Sequence, residues 1–178
     1  NAQSEFSVDA VVTYDVQDSG KTVVTHNVSL ENNFSTLYAT TYTLGLENID
    51  AQNIVALDSK GVAIPTEIQK DGSVINIKVN FSDAVVGKGV KRIFFISYDN
   101  GSFSVRTGEI WEVSIPRLGQ DNSFRSYKVI LKIPASFGLE AYISPKPERS
   151  ETNDRGLTYV FNRNDVIQTG ITAGFGQF

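Results

Sequence analysis

Apolar and polar residues alternate along most of this chain, and the first long segment shows the pattern most clearly. Over residues 6–16 the apolar side chains fall on one face of an extended strand and polar ones fall on the other. The apolar face holds Phe6, Val8, Ala10, Val12 and Tyr14, and the polar face holds Ser7, Asp9, Thr13 and Asp15. A period of two residues is typical of a β-strand with one buried face. The segment therefore predicts a half-buried strand that ends in a turn at residues 17–20.

The same alternation predicts strands along the rest of the chain, separated by turn-forming Gly, Asn, Asp and Ser. They are expected at residues 21–30, 37–46, 53–57, 62–68, 74–81, 90–98, 103–106, 108–115, 123–133, 139–143, 158–162 and 166–174. Residues 144–155 combine prolines with many polar residues and are predicted to form an exposed loop. No segment keeps a helical period beyond two turns, which argues against coiled-coil and helix-in-groove roles.

Many short strands with frequent turns indicate an all-β protein, built as an antiparallel β-sandwich. The turn at Asn100-Gly101 and a change in charge near it divide the chain. We expect two consecutive immunoglobulin-like or sandwich-like modules, at residues 3–99 and 100–178. One extended β-sandwich over residues 3–178 is the alternative.

The amino-acid composition excludes several classes of catalytic and metal site. The 178 residues include no cysteine, no methionine and one histidine, His26. A thiol nucleophile is excluded, and a zinc site would lack its usual ligands. The net charge of −4 argues against nucleic acid as a partner. No apolar run approaches the roughly 20 residues that span a bilayer, so no membrane insertion is expected, and a cysteine-free chain fits an exported bacterial protein. The missing methionine indicates that the chain comes from a longer precursor.

Two sets of residues are candidate sites. Glu109 and Glu112 flank Trp111, which would suit a glycosidase with an aromatic sugar platform, but residues three apart on a strand point to opposite faces. Trp111 is the candidate for a recognition surface, although core packing is the favoured interpretation. His26 is in phase with Val24 and Val28 and is expected to be a satisfied or partly exposed structural histidine. The sequence therefore predicts no catalytic residue, no metal site and no cofactor.

Several segments resemble the N-terminal, non-catalytic region of bacterial transglutaminase-like proteins. They are residues 25–32, 38–46, 86–89, 107–118 and 170–178. In that family a papain-like Cys-His-Asp domain follows later in the chain. The resemblance implies a β-sandwich accessory region whose enzymatic domain lies beyond residue 178. It transfers no functional residue, because neither the nucleophilic cysteine nor the catalytic histidine has a counterpart here.

The expected function is therefore that of a non-catalytic, extracellular accessory module of a transglutaminase-like protein. It would position or dock an attached catalytic domain at the bacterial cell envelope, with that domain as its covalent partner. The alternative is a free-standing cell-surface module that binds a glycan or a protein of the envelope. A complete hydrolase based on two carboxylates is a third possibility, but the sequence offers no preferred pair.

Overall fold

The computed structural model describes residues 5–119, 123–162 and 165–177. Among the described residues, strands account for 61% and helix for 4%, and several antiparallel sheets pack as a sandwich-like domain. The predicted all-β sandwich is therefore confirmed. The strands are β1 (Phe6–Val16), β2 (Thr22–Asn32), β3 (Thr41–Glu47), β4 (Gln52–Asp58), β5 (Thr66–Asp71), β6 (Val74–Asn80), β7 (Lys91–Asn100), β8 (Ser104–Thr107), β9 (Ile110–Ile115), β10 (Ser126–Pro134), β11 (Leu139–Ser144), β12 (Arg149–Asn153), β13 (Gly156–Phe161) and β14 (Ile171–Gly176).

The largest sheet contains seven strands in the order β12-β13-β10-β1-β2-β7-β4. Its pairs are antiparallel except β1 and β10, which run parallel in the middle of the sheet. A four-stranded sheet has the order β11-β14-β9-β8, and a three-stranded sheet has the order β3-β6-β5. The large sheet thus contains strands from both predicted modules, residues 3–99 and 100–178.

The core lies between the large sheet and the two smaller ones. In β1, Ala10, Val12, Tyr14 and Val16 are buried at alternate positions, as the sequence predicts. Aromatic rings connect the sheets: Tyr42 of β3 contacts Phe94 of β7 edge-to-face, with 5.3 Å between ring centroids. On the other side, Tyr159 of β13 lies 6.3 Å from Phe175 of β14. Burial of these large rings supplies much of the hydrophobic stabilisation.

Two glycines occur where backbones approach closely. Gly156 opens β13 with φ +141°, and a Cβ there would lie 2.0 Å from the carbonyl oxygen of Ile133 on β10. Gly170 precedes β14 with φ +74°, and a Cβ there would lie 2.3 Å from the carbonyl oxygen of Ile115. Any other residue at these positions would combine an unfavourable backbone conformation with a clash against a strand.

Two predicted elements are wrong. The expected loop at residues 144–155 contains β12, a strand whose five residues are all exposed and which pairs only with β13 at the sheet edge. With no buried face, it shows no apolar alternation. The strand expected at residues 166–174 begins instead as a one-turn helix, α1 (Asp165–Thr169). The Gly170 N–H donates to the Val166 carbonyl at 3.1 Å and ends the helix before β14 starts.

The division into modules at residues 3–99 and 100–178 remains a prediction about folding units. Strand β1 of the first segment lies directly beside β10 of the second, with Val12 opposite Val129. Separate modules would have to share this sheet. The pairing favours the alternative of one extended sandwich, and fragments of the chain can test it.

Candidate functional site

Trp111 lies on β9 at the edge of the core. Its indole stacks on the Phe137 ring with 4.1 Å between centroids and an interplanar angle of 5°. Gly20 lies against the indole edge, where an added Cβ would come within 2.9 Å of Cζ3. Phe137 therefore covers one face of the indole, and the side chain is half-buried. Its role in recognition stays a prediction, because the stack on Phe137 is a packing contact.

Trp111 borders a small cavity of about 190 Å³ that Phe137 also lines and whose remaining walls are polar. On the neighbouring strand, the Arg106 guanidinium lies 6.0 Å from the indole centroid, at the outer limit of a cation–π contact. Arg106 Nε donates to the Gly108 carbonyl oxygen at 2.9 Å. A hydrogen bond between Ser136 and Asp18 closes another side. The cavity has room for a few water molecules.

The two glutamates beside Trp111 do not form a matched pair. Glu112 lies within β9, opposite Val105 of β8 and Gly174 of β14. Glu109 lies in the turn before β9 begins. The two carboxylates therefore belong to different local structures, whereas the sequence argument placed both on one strand.

His26 is fully buried in β2, opposite Val12 on β1 and Ile96 on β7. The phase with Val24 and Val28 predicted this orientation. The alternative of a partly exposed side chain is wrong, since His26 is fully buried. Neither ring nitrogen has a hydrogen-bond partner among the described residues. Burial lowers the pKa of His26 to about 3, since desolvation disfavours the imidazolium. The ring is neutral at neutral pH and is out of reach of a substrate.

Other buried polar groups surround this region of the core. The ring of Tyr98 lies 6.0 Å from that of His26, and the Tyr98 hydroxyl has no partner among the described residues. Tyr14 and Tyr127 share a hydrogen bond, and burial raises the pKa of Tyr14 to about 12. Burial raises the pKa of Tyr98 and Tyr127 well above the ordinary tyrosine value. These phenols stay protonated at neutral pH, so the cluster offers no general base.

A charged cluster that sequence reasoning missed lies on the solvent face of the large sheet. Arg125 forms an ion pair with Asp9, and its Nη1 lies 3.3 Å from Glu31 Oε2. Ser126 Oγ donates to Asp9 Oδ1 at 2.7 Å. The hydrogen bond from Arg125 holds the pKa of Asp9 below its usual value. A shallow cavity of about 630 Å³ adjoins the cluster, but the opposite charges already satisfy one another.

The described residues do not supply a metal centre. No group of three or more His, Cys, Asp or Glu side chains within them is placed to hold an ion. None of the helices in the described ranges has the length and apolarity that crossing a bilayer requires.

Comparison with known proteins gives similarity of fold. No protein-family model matches the chain, and neither does any curated protein. Native leukotriene A4 hydrolase from Saccharomyces cerevisiae is similar, with a TM-score of 0.57 at 8% sequence identity over 97% of this chain. An M1 zinc metallopeptidase variant from Deinococcus radiodurans, bound to a Tyr-Ser-Ala substrate, has a TM-score of 0.52 at 10% identity over 97% of this chain.

The chain spans 29% of the hydrolase and 42% of the metallopeptidase. It therefore corresponds in fold to one domain of longer, multidomain proteins. The resemblance to transglutaminase-like proteins is wrong, because the fold is similar to that of metallopeptidases and leukotriene A4 hydrolase instead. The same finding overturns the expected transglutaminase accessory function and the free-standing glycan- or protein-binding module.

Proposed function

We propose that this chain is a non-catalytic β domain of a longer, metallopeptidase-like protein, and that it supports an attached zinc-dependent domain. The supporting observation is the share of each chain that the structural matches cover. Two multidomain proteins match nearly the whole chain, while the chain accounts for less than half of either of them. A domain matched end to end in this way is a structural unit of a larger architecture.

The residues of this chain do not fit a catalytic zinc site. Such sites take three protein ligands, most often histidines with a carboxylate or cysteine. The chain has one histidine and no cysteine, and His26 is buried beneath the large sheet. Any zinc chemistry of the longer protein would therefore belong to residues outside this chain.

The coding sequence on either side of residues 1–178 provides the first test. We expect it to encode a helix with the His-Glu-x-x-His pattern of zinc peptidases, in which two histidines on one helix face bind the metal. The longer protein should hydrolyse aminoacyl p-nitroanilides and contain one zinc per chain by elemental analysis. The 178-residue chain should do neither. Flanking sequence without such a domain, or hydrolysis by the 178-residue chain itself, would overturn the proposal.

We also propose that the protein acts outside the cytoplasm, at the bacterial cell envelope. The absence of cysteine from 178 residues supports this location. A signal peptide encoded upstream and recovery of the protein in periplasmic or envelope fractions would bear it out. Recovery in the cytoplasm alone would contradict it.

A further inference from the structure

The four-stranded sheet has one face in the core and one face in solvent. Val113 and Ile115 of β9 point into the core, so the intervening positions point away from it. We call this solvent side the outer face. Ile110 belongs to it and lies opposite Gly176 of β14, which in turn lies opposite Leu139 of β11. The next row across the sheet contains Val105, Glu112, Gly174 and Tyr142.

The outer face exposes four large apolar side chains on two rows of the sheet. The exposed fractions are 65% for Leu139, 53% for Val105, 48% for Tyr142 and 42% for Ile110. Single exposed apolar residues are ordinary on a protein surface, whereas a contiguous set marks an interaction site. The register brings these four residues from three strands onto two adjacent rows.

The middle of the outer face is flat because glycines occupy it. The Tyr142 ring lies directly over Gly174, where an added Cβ would fall 2.3 Å from Tyr142 Cε1. The ring thus covers bare backbone and presents its other side outward. A flat apolar surface of this kind suits packing against another folded domain better than holding a small ligand.

Charge distinguishes this face from the solvent side of the large sheet. Among the described residues on the paired rows of the outer face, Glu112 is the one charged side chain. The solvent side of the large sheet carries Asp9, Asp15, Glu31, Lys128 and Lys132 on three adjacent strands. Depletion of charge is the compositional mark of an interface core. The charged face is suited to water, and the outer face is suited to a partner.

We infer that the outer face is the surface on which the attached peptidase-type domain packs. This inference rests on the proposed function. Strand β14 ends at Gly176, between Ile110 and Leu139, so any residue that follows the chain begins beside the apolar row. More than half of each similar multidomain protein lies outside the matched region. The partner surface should be apolar, with a Lys or Arg opposite Glu112.

Single cysteine reporters can test this inference, because the chain has no cysteine of its own. Leu139→Cys and Val105→Cys report on the outer face. Ile93→Cys and Val62→Cys are controls of matched exposure, at 46% and 59%, with Ile93 on the solvent side of the large sheet. All four sites are exposed, so the substitutions leave the core intact. Circular dichroism melting curves check the fold of each variant.

Maleimide labelling of each reporter is followed by peptide mass spectrometry, in the 178-residue chain and in the longer protein. We expect similar rates for the four reporters in the 178-residue chain. In the longer protein, the Leu139 and Val105 reporters should slow by about tenfold or more because docking protects them, while both controls keep their rates.

Each of the other outcomes overturns the inference in a distinguishable way. Equal labelling in both proteins would place the attached domain elsewhere and leave the proposed function standing. Slowing that depends on the concentration of the 178-residue chain would assign the outer face to a second copy. A coding sequence without an attached domain would remove the proposed function and this inference together.

Discussion

Asp9 and Ser126 lie opposite each other in the parallel register of β1 and β10, and they share a hydrogen bond of 2.7 Å although 117 residues separate them. Arg125, beside Ser126, also pairs with Asp9 and extends to Glu31 on β2. The first strand of the chain and a strand of its second half are therefore joined at the centre of one sheet.

This pairing predicts that neither half of the chain folds alone. Residues 3–99 would leave the β10-facing edge of β1 unpaired, and residues 100–178 would lack the strands that cover their core. We expect each fragment to melt without a cooperative transition, as followed by circular dichroism. The intact chain should melt in one transition. A sharp transition in either fragment would instead support independent modules.

The Asp9 ion pair predicts a pH-dependent effect of Asp9→Asn. The pKa of Asp9 is lowered in the folded chain, chiefly by the hydrogen bond from Arg125. Its stabilisation is therefore present above the unfolded value of 3.8 and is lost as pH falls through the lowered folded value. The variant should unfold at lower urea concentration at pH 7, and the difference should vanish in strong acid.

Glu151→Gln is the matched control, because Glu151 and Arg149 form a pair at 3.9 Å in which both side chains are more than 60% exposed. Such pairs contribute little to stability. An equal loss of stability in the two variants would show that the Asp9–Arg125 ion pair contributes no more than an exposed surface pair.

Buried His26 predicts a loss of stability in mild acid. Its folded pKa is lowered to about 3, whereas the ordinary value is 6.5. Between these two values His26 is protonated in the unfolded chain and neutral in the folded chain. The free energy of unfolding therefore falls as pH drops from 6.5 toward 3. The expected slope approaches about 1.4 kcal/mol per pH unit for this one group. Urea unfolding followed by fluorescence of Trp111, the single tryptophan, measures it at several pH values.

A His26→Leu variant isolates this contribution. It should lose less stability than the natural chain between pH 6.5 and pH 4.5, because the remaining carboxylates titrate alike in both. Parallel pH profiles would mean that His26 takes up its proton without unfolding.

Close backbone approach predicts that Gly156→Ala is severely destabilising. The new Cβ would lie 2.0 Å from the Ile133 carbonyl oxygen, so β13 would have to move away from β10. We expect a loss of more than about 3 kcal/mol in the free energy of unfolding. Gly61→Ala is the control, since Gly61 also has a positive φ, of +82°, but nothing lies within 4 Å of its Cβ position. Gly61→Ala should lower the free energy of unfolding by about 1 kcal/mol. Similar losses would show that backbone conformation alone sets the effect.

Alternation predicted most of the strands but missed the edge strand β12. Strand β1 spans the predicted residues 6–16, because its side chains divide cleanly between core and solvent. Edge strand β12 is exposed at all five positions, so its polar sequence resembled a loop. The parallel pairing of β1 with β10 depends on contacts between distant segments, which local periodicity does not encode.

For the candidate sites as well, the local pattern predicted some features, while others depend on contacts between distant segments. The phase of His26 with Val24 and Val28 followed from the sequence, but its full burial did not. Its surroundings among the described residues, including the Tyr98 ring, are brought close only by folding. The outer face combines Val105, Ile110 and Tyr142 from three strands. Each residue looked like an ordinary member of its own strand, and only the register shows that they form one surface.

The parallel pair at the centre of the large sheet also sets the order in which the nascent chain can fold. The β1–β2 hairpin is complete at residue 32. The free edge of β1 stays unpaired until β10 has been synthesised, and β10 begins at residue 126. At about 5–20 residues per second, roughly 5–20 s of synthesis pass while that edge can pair with another chain. The parallel strand that completes the sheet therefore leaves the β1 edge open to pairing with other chains until the second half of the domain has been synthesised.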